Sequence, residues 1–240
     1  MIFTVDAHVA TIRLDRPQEH NRIEPSDLDA LAGHIAVVND NRDIRVLVLA
    51  STGKTFSSGF HLGAIEAGAP QRFEEVANAL AACRVPSIAA IQGSVYGGAA
   101  DLALACDFRI GVDGIELMVP AVRLGIPYYP GAIERFINLV TPNAAKRILL
   151  ACERLDAQEL LDCGYLDEIV PRETLDARVA ELAANLASLA PLAAQAVKAQ
   201  LNRFDRAAAA EAVRACLASQ DHKEGLAAWI EKRTARFTGA

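Results

Sequence analysis

The sequence predicts an α/β fold in two parts, a layered core over residues 1–172 and an all-helical region over 173–240. Three observations carry that expectation. Buried-strand runs alternate with loops and amphipathic helices through the first half, the pattern of mainly parallel or spiralling sheet layers with helices outside. Strand signals then stop, and from Thr174 onward nearly every segment is alanine-rich and helix-forming. Hydrophobic residues make up 52% of the chain against 22% charged, so a sizeable core can form and disorder is not expected.

Taken in order, Phe3 and Val5, then Ala10, Ile12 and Leu14, alternate with a period of two. That gives two short strands joined near Asp6 to His8. Leu28, Leu31, Ile35 and Val38 recur at helical spacing, with Ser26 as an available cap, so a helix runs to about Asn39. Arg45 to Ala50 reads as a buried strand, and Ser51 to Gly63, with its three glycines, as a loop. A helix bearing Phe73, Val76, Ala77 and Leu80 leads into a second strand, Pro86 to Ile91. Gly93 to Gly98 is a glycine-rich turn, followed by a small-residue helix to about Ala105 and a third strand over Phe108 to Ile110. Beyond Val119 only helices are expected. Thr141 caps one that has Pro142 in its first turn, and Asp156 with Glu159 makes a capping box opening another.

Composition excludes several functions. A net charge of −6 without any lysine- or arginine-rich run leaves no footprint for nucleic acid. Asp6, His8 and Arg13 are unlike a signal or transit peptide, and no stretch approaches the roughly 20 apolar residues of a membrane span. Cys83, Cys106, Cys152, Cys163 and Cys216 stand singly, without a CxxC pair, so neither a disulfide framework nor a zinc site is suggested. The expectation is a cytoplasmic protein with no metal or redox cofactor, its cysteines serving as small buried thiols.

Several familiar motifs fail. Gly53-Lys54-Thr55 ends like a phosphate-binding loop, but Val48 stands where its first glycine belongs. Ser94 is not central in its glycine-rich run, so that run is no nucleophile elbow. The five histidines form no HExxH pair. Two glycine loops remain, each directly after a buried strand: KTFSSGFHLGAIE, Lys54 to Glu66, and IQGSVYGGAADLALACD, Ile91 to Asp107. Such loops free backbone N–H groups to point at a ligand, and in the second they also open a helix, whose dipole favours negative charge. Two converging amides are the minimum for an oxyanion hole. The other reading is that these glycines only permit tight turns between layers.

The segments FSSGFHL and QGSVYGGAADLALACDFRI resemble the two signature loops of the crotonase (enoyl-CoA hydratase/isomerase) superfamily. LDRP with Asn21, LGIPYYPGA, AKRILLACERLDAQELLDCGYLDEIVP and the tail EGLAAWIEKRTARFTG are similar to that family as well, so the resemblance covers essentially the whole chain. It implies a crotonase-like spiral of ββα units followed by a C-terminal helical trimerisation region, hence a homotrimer or a dimer of trimers. It also implies an acyl-CoA thioester as substrate, with CoA as its carrier and no other cofactor. The family's two oxyanion amides fall on Phe60 and Gly98. Contacts to CoA fall on Arg16, Ser58 and Lys232, the last reaching a neighbouring subunit's ligand, with Phe237 beside it.

Two departures bear on the reaction. Hydratases of the family use two glutamates; the first matches Asp101, one methylene shorter, and the second matches Ala121, which transfers no proton. Paired-carboxylate hydration is therefore disfavoured relative to isomerisation, decarboxylation or hydrolysis. LGIPYYPGA is similar to the methylmalonyl-CoA decarboxylase branch, which places Tyr128 where a hydroxyl could orient a carboxylate or protonate an enolate. His61 stands at the family's loop aspartate. A catalytically silent acyl-CoA-binding or scaffold member is the alternative of a different class.

Overall fold

A computed structural model describes residues 1–64 and 69–240; Ile65 and Glu66, at the end of the first glycine loop, lie outside the described residues. Strands β1 (Ile2–Asp6) and β2 (Val9–Leu14) form the antiparallel pair that the alternating pattern predicts. Helix α1 spans Pro25–Asp40 and buries Leu28, Leu31, Ile35 and Val38. Its cap is Glu24, not Ser26. The Asp27 amide donates to the Glu24 carbonyl at 2.9 Å, and the Asp27 carboxylate accepts the Glu24 amide at 2.8 Å in return.

From β3 (Val46–Ser51) the chain repeats one unit three times: a strand in a large sheet, a short strand in a small sheet, then a helix. The first unit is β3, β4 (Thr55–Ser57) and α2 (Ala69–Ala81). The second is β5 (Ser87–Ile91), β6 (Ser94–Tyr96) and α3 (Ala99–Leu104). The third is β7 (Phe108–Val112), β8 (Glu116–Met118) and α4 (Pro130–Leu139). The large sheet has the order β1-β2-β3-β5-β7-β10, with β10 at Glu168–Val170, and is parallel from β2 onward. The small sheet has the order β4-β6-β8-β9, with β9 at Leu155–Asp156 pairing antiparallel to β8. This is the spiral of ββα units.

Three sequence expectations need correction. Ser51 to Gly63 is not all loop, because β4 lies in it; Gly93 to Gly98 is not all turn, because β6 lies in it. Strands β8, β9 and β10 also lie beyond the third predicted strand, the last two in the stretch expected to be all helix. Each is two or three residues long, too short to show a period of two, and each exists through a partner distant in sequence.

Helices α5 (Pro142–Leu149) and α6 (Ala157–Asp162) carry the Thr141 cap and the Asp156–Glu159 capping box as predicted. Helices α7 (Leu175–Ala187), α8 (Pro191–Asn202), α9 (Arg206–Ala218) and α10 (Gln220–Glu231) complete the chain. Helix α7 packs on β3, β5 and β7, and Lys198 of α8 reaches back to Asp107 at 2.7 Å and to the carbonyl of Val85 at 2.8 Å. Cys83, Cys106 and Cys152 are buried, and burial pushes the Cys106 thiol up to about 12, so it stays protonated. Among the described residues no helix is long and apolar enough to cross a membrane.

Candidate active site

Strand β4 ends at Ser57, and the chain then turns through Gly59 in the left-handed region at φ +87°. The Ser57 hydroxyl fixes this turn, donating to the Asn21 carbonyl at 2.7 Å and accepting the Gly59 amide at 3.1 Å. Ile23 then makes an isolated parallel bridge with Phe60: its amide donates to Gly59 and its carbonyl accepts from His61, both at 2.9 Å. A parallel bridge of this kind uses the groups flanking Phe60 and leaves the Phe60 N–H facing away.

The second loop leaves β6 and reaches α3 through Gly97 and Gly98. The Gly97 amide donates to Met118 at 3.0 Å, and its carbonyl accepts the Tyr128 hydroxyl at 2.7 Å. Among the described residues neither the Phe60 nor the Gly98 amide has an acceptor within the protein. The loops are in contact: a methyl group added at Gly59 would lie 2.7 Å from the Tyr96 carbonyl and 3.2 Å from the Gly98 nitrogen. Only glycine permits that approach. Two uncommitted donors thus stand side by side.

Phe60 and Gly98 both line a cavity of about 150 Å³. Phe73 from α2 closes over Gly98, where an added Cβ would lie 2.8 Å from its ring. Phe60 meets Phe73 edge-on at 5.9 Å, and Tyr128 stacks on Tyr129 at 5.6 Å. Ser58 and Ala121 also border the cavity, as do Pro120 and Leu124. No acidic or basic side chain is among the described residues that line it.

Asp101 does not line it. The carboxylate is fully buried on α3, where Arg135 of α4 grips it with Nε to Oδ1 at 2.7 Å and Nη2 to Oδ2 at 2.6 Å. The Tyr129 hydroxyl donates to the same carboxylate at 2.5 Å, so the Tyr129 ring stands between Asp101 and the cavity. Burial and the Asp101 charge both raise the pKa of Tyr129 and of Tyr128, holding the two phenols neutral. Burial opposes the Arg135 charge, but its bonds to Asp101 outweigh that and raise its pKa. Further support comes from α2: Asn78 accepts from Arg135 at 2.7 Å, and Glu74 accepts the Gly131 amide at 2.7 Å.

A sequence model of the enoyl-CoA hydratase/isomerase family matches residues 4–240. The chain belongs to that family. It is 32% identical over 255 residues to a crotonyl-CoA hydratase of Syntrophomonas wolfei, covering 99% of this chain and 97% of that one. A short-chain-enoyl-CoA hydratase of Clostridium acetobutylicum is 27% identical, with 97% and 95% covered. The crystal structure of an enoyl-CoA hydratase from Bacillus anthracis superposes with a TM-score of 0.92 at 28% identity, covering 99% of both chains.

Of the site residues the family resemblance implies, Ser58, Phe60, Gly98 and Tyr128 come together at the cavity. Asp101 is adjacent but screened. Arg16 is elsewhere: its guanidinium binds Asp27 and donates to the Arg22 carbonyl at 2.9 Å, bracing the turn that Asn21 ties to Thr52 and Thr55. Lys232 is exposed at the end of α10 in a left-handed cap, and Phe237 packs near Gly225 of its own chain. His61 turns to Glu24, its Nδ1 lying 2.8 Å from Oε2. The sequence reading missed Arg135. For Arg135 a signal exists, a lone arginine three residues after Ala132 and next to Phe136, both buried.

Proposed function

We propose that this chain acts on CoA thioesters, holding the oxygen of a thioester enolate between the amides of Phe60 and Gly98. The observation that carries this reading is the pair of uncommitted donors at the wall of a largely apolar cavity, where a developing oxyanion is stabilised far more than in water. The reaction best matched to the site is one that forms the enolate by losing a group, as in decarboxylation of a 2-carboxyacyl-CoA such as methylmalonyl-CoA. The carbon–carbon bond breaks, its electron pair moves into the thioester oxygen, CO₂ leaves, and the enolate takes a proton from solvent. The described residues of the wall carry no charge and solvate the leaving carboxylate poorly, which favours its loss. Hydration needs a free carboxylate; Asp101 is engaged by Arg135 and Tyr129, and Ala121 offers none.

Hydration through Asp101 is the second reading, favoured by the names of the relatives. Parallel assays with methylmalonyl-CoA and crotonyl-CoA decide between them, the first being the expected substrate. Crotonyl-CoA hydration that Asp101→Asn abolishes would replace decarboxylation. Binding without turnover over a broad panel of acyl-CoA substrates would favour a silent acyl-CoA-binding member.

In this reading residues 1–172 carry the site and 173–240 assemble a cytoplasmic homotrimer or dimer of trimers. Trp229, Leu201 and Ile230, 85%, 81% and 77% exposed, support such a contact. Ser58 meets CoA at the cavity rim and Lys232 reaches a neighbour's ligand, while Arg16 positions the first loop. Tyr128 acts by fixing the Gly97 peptide. Tyr128→Phe keeps the ring and is expected to lower kcat about tenfold with KM nearly unchanged, the effect of one positioning hydrogen bond. Steady-state kinetics on the substrate found above provide the check.

A further inference from the structure

The far side of the cavity is built to be immobile. The Tyr129 hydroxyl is bound to Asp101, which Arg135 holds from two directions. The Tyr129 ring is stacked on Tyr128 with only 6° between planes, and it meets Phe73 at 6.0 Å. Phe73 in turn is seated over Gly98. Turning Tyr129 aside would leave a buried hydroxyl and a buried carboxylate short of a partner, which costs more than a rotamer change recovers.

We propose that Tyr129 and Phe73 determine the size of the acyl group accepted, their fixed rings closing the far side of an apolar cavity of about 150 Å³ so that a short chain is favoured over a long one. This rests on the acyl-CoA reading above and names its substrate class. Asp101 and Arg135 are then positioning residues: they hold the Tyr129 ring as a wall, and selection is by volume because none of the described residues lining the cavity brings a charge to the acyl group.

Calorimetric titration with saturated acyl-CoAs tests this without depending on the reaction. For the full-length protein, affinity rises about fourfold per methylene from acetyl-CoA towards butyryl-CoA and hexanoyl-CoA, and decanoyl-CoA binds at least tenfold more weakly than hexanoyl-CoA. Tyr129→Ala and Phe73→Ala each move the best ligand to a longer chain, whereas Tyr129→Phe, which keeps the ring but frees it from Asp101, leaves the best ligand short and narrows its margin over decanoyl-CoA. Decanoyl-CoA binding as tightly as hexanoyl-CoA to the unaltered protein overturns the proposal. So does an unchanged preference in both alanine variants with native circular dichroism. If those variants do not fold, the wild-type series and Tyr129→Phe decide. Absence of binding to every member overturns the acyl-CoA reading itself, and this proposal with it.

Discussion

Replacing Gly98 by proline is expected to lower kcat by about 10²- to 10³-fold, the loss seen when one donor of an oxyanion hole is removed. The substitution deletes one N–H. The backbone tolerates it at that residue, because Gly98 has φ −60°, close to the proline value. The Gly98 amide also has no acceptor among the described residues, so none of their hydrogen bonds is lost. One complication is steric: any Cβ at Gly98 would lie 2.8 to 3.2 Å from three atoms of the Phe73 ring. The comparison is therefore made in a Phe73→Ala background, with Gly98→Ala as control. Alanine adds the same Cβ but keeps the donor, so it should retain the activity of the background. Proline turning over as fast as alanine would remove the amide, and with it the proposed enolate chemistry.

The parts of this molecule that were legible in the sequence are those whose physics is local. Val46–Ser51 is buried at all six positions and reads as an apolar run. The capping box at Asp156 needs only two side chains three residues apart. The two glycine loops were legible for a related reason, because the backbone approach at Gly59 excludes every side chain. Strands β4, β6 and β8 were not legible. They have three residues each and are selected by pairing with segments about 20 to 40 residues away, for which a single chain carries no periodic trace. The Ser26 expectation failed because Glu24 and Asp27 satisfy the first turn jointly, and Pro25 supplies the opening residue.

Asp101 shows the same limit at the site. Its position on α3 identifies a carboxylate one turn from the Gly98 amide, and nothing local distinguishes a proton carrier from an anchor. That distinction is made 34 residues later by Arg135, and by Tyr129 between them. A carboxylate with a bidentate guanidinium and a phenol hydroxyl is charge-neutralised and has little acceptor capacity left for water. In the proposed reading the family's acid/base position serves this chain as a brace for the pocket wall, and the reaction class follows from the neighbours of Asp101 and not from its presence.

Arg135→Met is expected to cost about 3–5 kcal/mol of stability, because it leaves Asp101 buried with only Tyr129 to satisfy it. For a chain of 240 residues this lowers Tm by roughly 6 to 20 °C. The size of the effect comes from the position of the pair: Asp101 is fully buried and the Arg135 side chain is 13% exposed, so water cannot replace the lost partner. A surface pair such as Arg72 with Asp29, by contrast, should move Tm little when broken. Asp101→Asn in the Arg135→Met background removes the stranded charge, keeps an acceptor for Tyr129, and should recover a large part of the loss. The double-mutant cycle read by thermal denaturation thus gives a coupling of at least 1 kcal/mol, as expected for groups in direct contact. Additive losses, or a Tm for Arg135→Met within about 2 °C of the unaltered protein, would show that the guanidinium does not hold Asp101. The wall at Tyr129 would then lose its anchor, and Asp101 would again be available as a base.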